Sequence, residues 1–170
     1  MIVLRGNSGS GKTTTARALR ERLGRGTAWV EQDHLRRVVL WEKDVADGVN
    51  IGLIDTNVRY ILDRGYDVVL EGILNAQRYG DTLRRLTADH AGLTLHYYFD
   101  IPFEETVRRH GTRDMPGVSA GMMREWYRER DLLVGVEQQV VGVGSSVGET
   151  VGRIVGDLGV MGCGAVPLEG

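Results

Sequence analysis

One octapeptide near the amino terminus constrains this chain more than any other feature. Gly6-Asn7-Ser8-Gly9-Ser10-Gly11-Lys12-Thr13 fills every fixed position of the pattern G-x-x-x-x-G-K-[ST]. The short apolar run Ile2-Val3-Leu4 precedes it, and Ala16, Leu19 and Leu23 follow at helical spacing, so the segment reads as strand, glycine loop and helix. Glycines in such a loop let the backbone turn its N–H groups inward around a phosphate, and the helix N-terminus adds positive potential. Lys12 can then neutralise the outer phosphates of a nucleotide, while the Thr13 hydroxyl suits Mg²⁺. The candidate phosphate contacts are Gly6, Asn7, Ser8, Gly9, Ser10, Gly11, Lys12, Thr13 and Thr14. The competing reading is a glycine turn before a surface helix with a solvated lysine, and the complete motif in its strand-to-helix setting argues against it.

Beyond the loop, strands and helices alternate. Thr27 to Glu31 is a second candidate strand, and Ile54, Val58, Ile61 and Leu62 mark one face of a helix that Gly65 ends. Asp67 to Glu71 has a continuous apolar centre suited to a sheet covered on both faces; Leu93 to Asp100 and, more weakly, Glu137 to Val141 are further strands. Helices are expected over Ala76 to Ala88, after Pro102, and along Met122, Trp126 and Leu133. Ser146-Val147-Gly148-Glu149 is a capping-box pattern that opens a last helix running to Leu158. Strands alternating with helices imply right-handed crossovers and an α/β, three-layer fold on a mainly parallel, five-stranded sheet. Ligands of such sheets bind beyond the carboxyl ends of the strands, where Gly6, Asp33, Glu71 and Asp100 fall together. The expected organisation is one domain over residues 1–158, with a short lid at about residues 109–117 and a glycine-rich tail over residues 159–170.

Composition mainly removes alternatives. A formal net charge of −2 gives no overall basic excess for sequence-blind binding to a nucleic-acid backbone. The single cysteine, Cys163, rules out a disulfide framework, and the four histidines show no metal-ligand spacing. The apolar start is too short for a signal segment or a membrane span, so a cytoplasmic protein without a membrane partner is expected. Trp41, Tyr60 and Tyr79 are either pocket-lining aromatics or scattered core residues.

After the second strand comes Asp33-His34-Leu35-Arg36, an aspartate three positions ahead of an arginine at a helix start. With the loop Gly6 to Thr14, Tyr98-Phe99-Asp100-Ile101-Pro102-Phe103, Arg109 through Arg113, and Met122 to Tyr127, it resembles the kinase domain of phage-type polynucleotide kinases, a P-loop kinase. More loosely the chain is similar to the zeta-toxin and chloramphenicol-phosphotransferase kinases, whose acidic-glycine pair at a strand end matches Glu71-Gly72. The resemblance implies that Asp33 is the general base toward an acceptor hydroxyl, that Arg36 contacts the acceptor, and that Arg113 reaches the phosphates of ATP. It also makes Arg109 and Arg113 lid arginines, with catalysis carried by Lys12, Asp33 and Arg113. Chemistry agrees for Asp33, since a carboxylate within reach of a hydroxyl can take its proton during phosphoryl transfer. The other reading of Asp33 is an N-cap carboxylate on the following helix. Glu71 could hold Mg²⁺ through a water or bind the acceptor hydroxyl.

The expected activity is transfer of the γ-phosphoryl of ATP, with Mg²⁺, to a hydroxyl of a small molecule such as a metabolite, nucleoside or antibiotic. A polynucleotide 5′-hydroxyl acceptor is the alternative, and a nucleotide-binding ATPase or switch is the alternative of another class.

Overall fold

The computed structural model describes residues 1–111 and 119–161. Its element order is β1 (Ile2–Gly6), α1 (Lys12–Leu23), β2 (Thr27–Glu31), α2 (Gln32–His34), a π-helical turn (Leu35–Val39), α3 (Val49–Asp63), β3 (Asp67–Gly72), α4 (Ala76–Asp89), β4 (Leu95–Phe99), α5 (Phe103–Gly111), α6 (Ala120–Trp126), β5 (Gln139–Val141) and α7 (Val147–Met161). The strands form one sheet in the order β2-β3-β1-β4-β5, and every pairing is parallel. The five-stranded α/β expectation therefore holds, with the sheet wholly parallel.

Alternation along β1 explains the three layers. Val3 packs with Val68 and Leu70 against Ile54 and Val58 of α3 and Leu83 and Leu86 of α4. Ile2 and Leu4 face the other way, joining Val69, Tyr97 and Phe99 against Ala16 and Leu19 of α1 and Ile154 of α7. Successive side chains of a strand point to opposite faces, so a strand clothed on both sides must be apolar throughout. Each such fully buried aliphatic side chain contributes roughly 1.5–3 kcal/mol relative to exposure.

Local signals end these elements where expected. Gly65, at φ +77°, donates its N–H to Leu62 O beyond α3. At α7, Ser146 N donates to Glu149 Oε2 at 2.9 Å and Glu149 N donates to Ser146 Oγ at 3.2 Å, the reciprocal pair of a capping box. That helix continues to Met161, three residues beyond the expected stop.

The helix expected through Leu133 is shorter. α6 ends at Trp126, Tyr127 turns extended, and Arg130 adopts φ +45°. Leu133 is buried from an irregular segment that side chains of β1 and its loop hold in place, so its apolar character reports core packing and not helical periodicity. Among the described residues no helix is long and apolar enough to cross a membrane. Residues 112–117 of the expected lid, Arg113 included, and residues 162–170 of the expected tail lie outside the described residues.

Candidate functional site

Backbone geometry at the glycine loop leaves room for glycine alone. Gly6 has φ +145°, and a Cβ there would sit 2.7 Å from Phe99 O; Gly9 has φ +76°, and its Cβ would sit 2.5 Å from Thr106 O. The loop thus lies flush against β4 and α5. α1 starts at Lys12, behind an N-cap Gly11 that offers no side-chain acceptor to the first N–H groups of the helix. Lys12 is buried and folds back across the loop, donating from Nζ to Asn7 O at 2.7 Å and to Ser10 Oγ at 3.2 Å. A bound phosphate offers stronger, charged acceptors for the same ammonium.

Glu71 is the penultimate residue of β3, beside β1, and its carboxylate accepts the Thr13 hydroxyl at 3.0 Å. The residue is only 2% exposed. Burial raises its pKa to about 6, Lys12 and the Thr13 hydrogen bond pull it down, and Glu31, its register partner on β2, and Asp33 push it up. This carries a stability consequence. A carboxyl whose pKa is higher folded than unfolded favours folding below its unfolded value of about 4.5, and that contribution is lost as pH rises through about 6. In the metal- and nucleotide-free protein, Glu71→Gln is therefore expected to be more stable than the parent at pH 8 by on the order of 2 kcal/mol. The difference should shrink to nothing by pH 4, and denaturant unfolding across that range checks it. A parent that gains stability relative to Glu71→Gln as pH rises would contradict the assignment.

Asp33 and Arg36 lie past the end of β2, where α2 passes into the π-helical turn. The N-cap of α2 is Glu31, without a side-chain cap bond, so Asp33 is not the capping carboxylate. It instead pairs with Arg36 NH2 at 2.5 Å and Arg37 Nε at 3.2 Å. Arg36 also donates to Glu42 O at 3.2 Å.

Beneath this turn is a buried polar net. Tyr79 OH donates to Asp44 Oδ1 at 2.6 Å and accepts from Gln32 Nε2 at 2.9 Å and Asn50 Nδ2 at 2.6 Å. Gln32 Oε1 in turn accepts from Ile73 N, past the end of β3. The net ties the acceptor-side turn to α3, α4 and the sheet, which fixes where Asp33 and Arg36 stand. Burial and the Asp44 carboxylate hold the Tyr79 phenol well above its ordinary pKa, so it stays a neutral hydrogen-bonding hub.

These pieces border a cleft of about 520 Å³ that includes Ser8 of the loop, Asp33, Arg36, Asn75, Arg78 and Trp126 in its lining. Glu71 and Lys12 are not part of that lining; they lie under the loop. On the other side of the loop, Arg109 leans on it from α5, donating to Ser10 O at 3.1 Å and pairing with Glu105 at 2.7 Å. A second crevice there is bounded by Gly11, Thr15, Arg109, Val141 and Ser145.

Two side chains flanking Gly6 tie the irregular segment after α6 to the loop. The Asn7 amide donates to Arg128 O at 2.7 Å and accepts from Arg128 N at 2.9 Å. Arg5, 1% exposed, donates to Leu74 O, Gln138 Oε1 and both Asp131 O and Asp131 Oδ2, at 2.9–3.0 Å. Its partners compensate the cost of burying that charge.

The aromatics singled out in the sequence are not the ones at the cleft. Trp41 is 90% exposed, Tyr60 is exposed and carries Arg64 over its ring, and Tyr79 is buried in the polar net. Trp126 lines the cleft instead; its spacing with Met122 looked like an ordinary core helix face. Asp44, Lys43 and Arg78 also line it, and no local pattern announces them, because they come together only through the packing of α4 on the loop before α3.

A phosphate-binding loop behind the central strand of a parallel sheet, with an acidic residue near the end of the next strand, defines a P-loop nucleotide-binding fold of the kinase type. The chain belongs to the AAA domain family AAA_33, whose model matches residues 1–130. No curated protein matches it. Solved structures share its fold at low identity. The APS kinase of Mycobacterium tuberculosis, in complex with AMPPNP and APS, superposes with a TM-score of 0.70 at 19% identity, over 93% of this chain and 96% of that one. A gluconokinase from Sinorhizobium meliloti 1021 gives 0.63 at 16% identity, over 95% and 96%. A chain of an RNA repair complex gives 0.58 at 20% identity, over 73% of this chain and 41% of that one.

Proposed function

We propose that this ATP-dependent kinase transfers the γ-phosphoryl group of ATP to a hydroxyl of a small molecule. The observation that carries the acceptor reading is the cleft: about 520 Å³, next to the phosphate loop and lined by Ser8 and Asp33, a size suited to a small molecule. The kinases of similar fold named for gluconate and APS support a compact acceptor. The Asp33-x-x-Arg36 pattern and the RNA repair structure favour the second reading, a polynucleotide 5′-hydroxyl acceptor.

In this reading the N–H groups from Gly6 to Thr14 cradle the phosphates, and the Lys12 ammonium moves from Asn7 O and Ser10 Oγ onto phosphate oxygens. Arg109 borders the nucleotide from α5, and the resemblance assigns Arg113 a second guanidinium contact to the transferring phosphoryl. Asp33 Oδ accepts the proton of the attacking hydroxyl while Arg36 holds both Asp33 and the acceptor. The oxygen donors of Thr13 and Glu71, already in contact, fit Mg²⁺: Thr13 would hold the ion by its hydroxyl and Glu71 would hold it through a water. The ion's chemistry would be charge neutralisation on the phosphates.

The test is a screen of sugars, hydroxy acids, nucleosides, antibiotics and a 5′-hydroxyl oligonucleotide with labelled ATP. ADP release that depends strictly on an added hydroxyl compound, with label in that compound, is the expected result. Steady release without acceptor would make the protein an ATPase, and labelling of the oligonucleotide alone would transfer the conclusion to the second reading.

A further inference from the structure

The cleft is more positive than the chain that builds it. Its lining includes five cationic side chains, Arg36, Arg37, Lys43, Arg78 and Arg128, against three carboxylates, Asp33, Asp44 and Glu125. That leaves an excess of two positive charges on one concave surface of a protein whose formal net charge is −2. The internal pairs account for much of the rest. Asp33 is shared by Arg36 and Arg37, and Asp44 faces Arg78.

Two of the five cations meet no carboxylate among the described residues. The Arg128 guanidinium donates to the backbone carbonyls of Glu125 and Tyr127, and Lys43 enters no ion pair there. A further donor is left over: Arg36 Nε is buried without a hydrogen-bond partner.

The placement of Lys43 is built and not incidental. Arg36 NH1 grips Glu42 O on one side of it, while Arg78 NH1 grips both the carbonyl and the carboxylate of Asp44 on the other, at 2.7 and 2.9 Å. Two arginines that line the cleft therefore hold the backbone on either side of Lys43. A concave surface with surplus cations attracts and orients an anion, and guanidinium forks suit carboxylate and phosphate oxygens.

We propose that the hydroxyl acceptor is a small anion, whose carboxylate or phosphate group is held by Lys43 and Arg78 while its hydroxyl faces Asp33. This rests on the kinase reading above and narrows its acceptor class.

Two measurements test it, and they separate its failure from failure of the kinase reading. The first needs no acceptor. With the P-loop filled by AMPPNP and Mg²⁺, inorganic phosphate and citrate should raise the melting temperature saturably, and Lys43→Glu should weaken the apparent affinity at least tenfold, with Lys43→Arg close to the parent. An absent effect, or equal protection of Lys43→Glu, overturns the anion site whatever the enzyme does. The second compares phosphoryl transfer within matched pairs: gluconate with glucose, glycerate with glycerol, and glycerol 3-phosphate with glycerol. Transfer confined to the anionic members, with KM raised at least tenfold by Lys43→Glu, supports the proposal. Preference for neutral members, or for a 5′-hydroxyl oligonucleotide over every small anion, overturns it while leaving a kinase. Saturable protection by phosphate with no transfer to any compound would sink the kinase reading, and with it the assignment of this anion site to an acceptor.

Discussion

Lys12→Ala is expected to abolish phosphoryl transfer and to weaken ATP binding, with the fold retained. Lys12 is buried; its ammonium donates to neutral oxygens of the loop, Asn7 O and Ser10 Oγ, and its charge lowers the pKa of Glu71. What disappears is the one cation of the loop aimed at the outer phosphates, where charge redistributes as the phosphoryl leaves. Calorimetry with ATP and a turnover assay on the same preparation check this. Unchanged affinity with intact turnover would break the loop assignment.

Asp33→Asn is expected to leave ATP binding and folding in place and to lower transfer by about a hundredfold or more, the scale of general-base assistance. Arg36 and Arg37 bond opposite oxygens of Asp33, so the single amide oxygen keeps one of those two contacts while the base is lost. Glu71→Gln is the informative companion. Glu71 touches Thr13 beneath the loop and does not line the cleft, so its loss should alter Mg²⁺ dependence first. Turnover is measured for both variants across a Mg²⁺ titration. If Asp33→Asn keeps near-normal kcat while Glu71→Gln is dead at every Mg²⁺ concentration, the base is Glu71.

How much of this was legible in the sequence follows from the range of the interactions involved. The phosphate loop is a contiguous backbone feature, so eight residues and their flanks define it, and each of its three glycines, Gly6, Gly9 and Gly11, adopts positive φ. Strands buried on both faces are continuous apolar runs, which is why β1 and β3 stand out. Asp33 and Arg36 are three residues apart and can be read as a local unit.

The cleft wall has no such signature. Arg78 joins Asp44 across 34 residues, and Trp126 reaches the cleft from a helix whose length depends on Asn7 holding Arg128. Leu133 misled for the same reason: burial imposed by a distant arginine imitates helical spacing. Local patterns report local hydrogen bonds, and long-range contacts appear in a sequence only as unexplained apolar or charged residues.

The grip of Arg5 bears on how the polypeptide comes to be assembled. β1 precedes the other four strands of the sheet in the chain and is its central one, yet the carboxylate that faces the buried Arg5 guanidinium is Asp131 and a further acceptor is Gln138. A nascent chain that has emerged only as far as residue 130, where the family match also stops, would enclose an uncompensated positive charge next to the phosphate loop. Closure of the sheet centre is therefore coupled to late-arriving residues, and the matched region by itself should be a poor autonomous folding unit. Ribosome-bound or recombinant fragments ending at residue 130 should remain protease-sensitive, and protection should set in once residues through 141 are included.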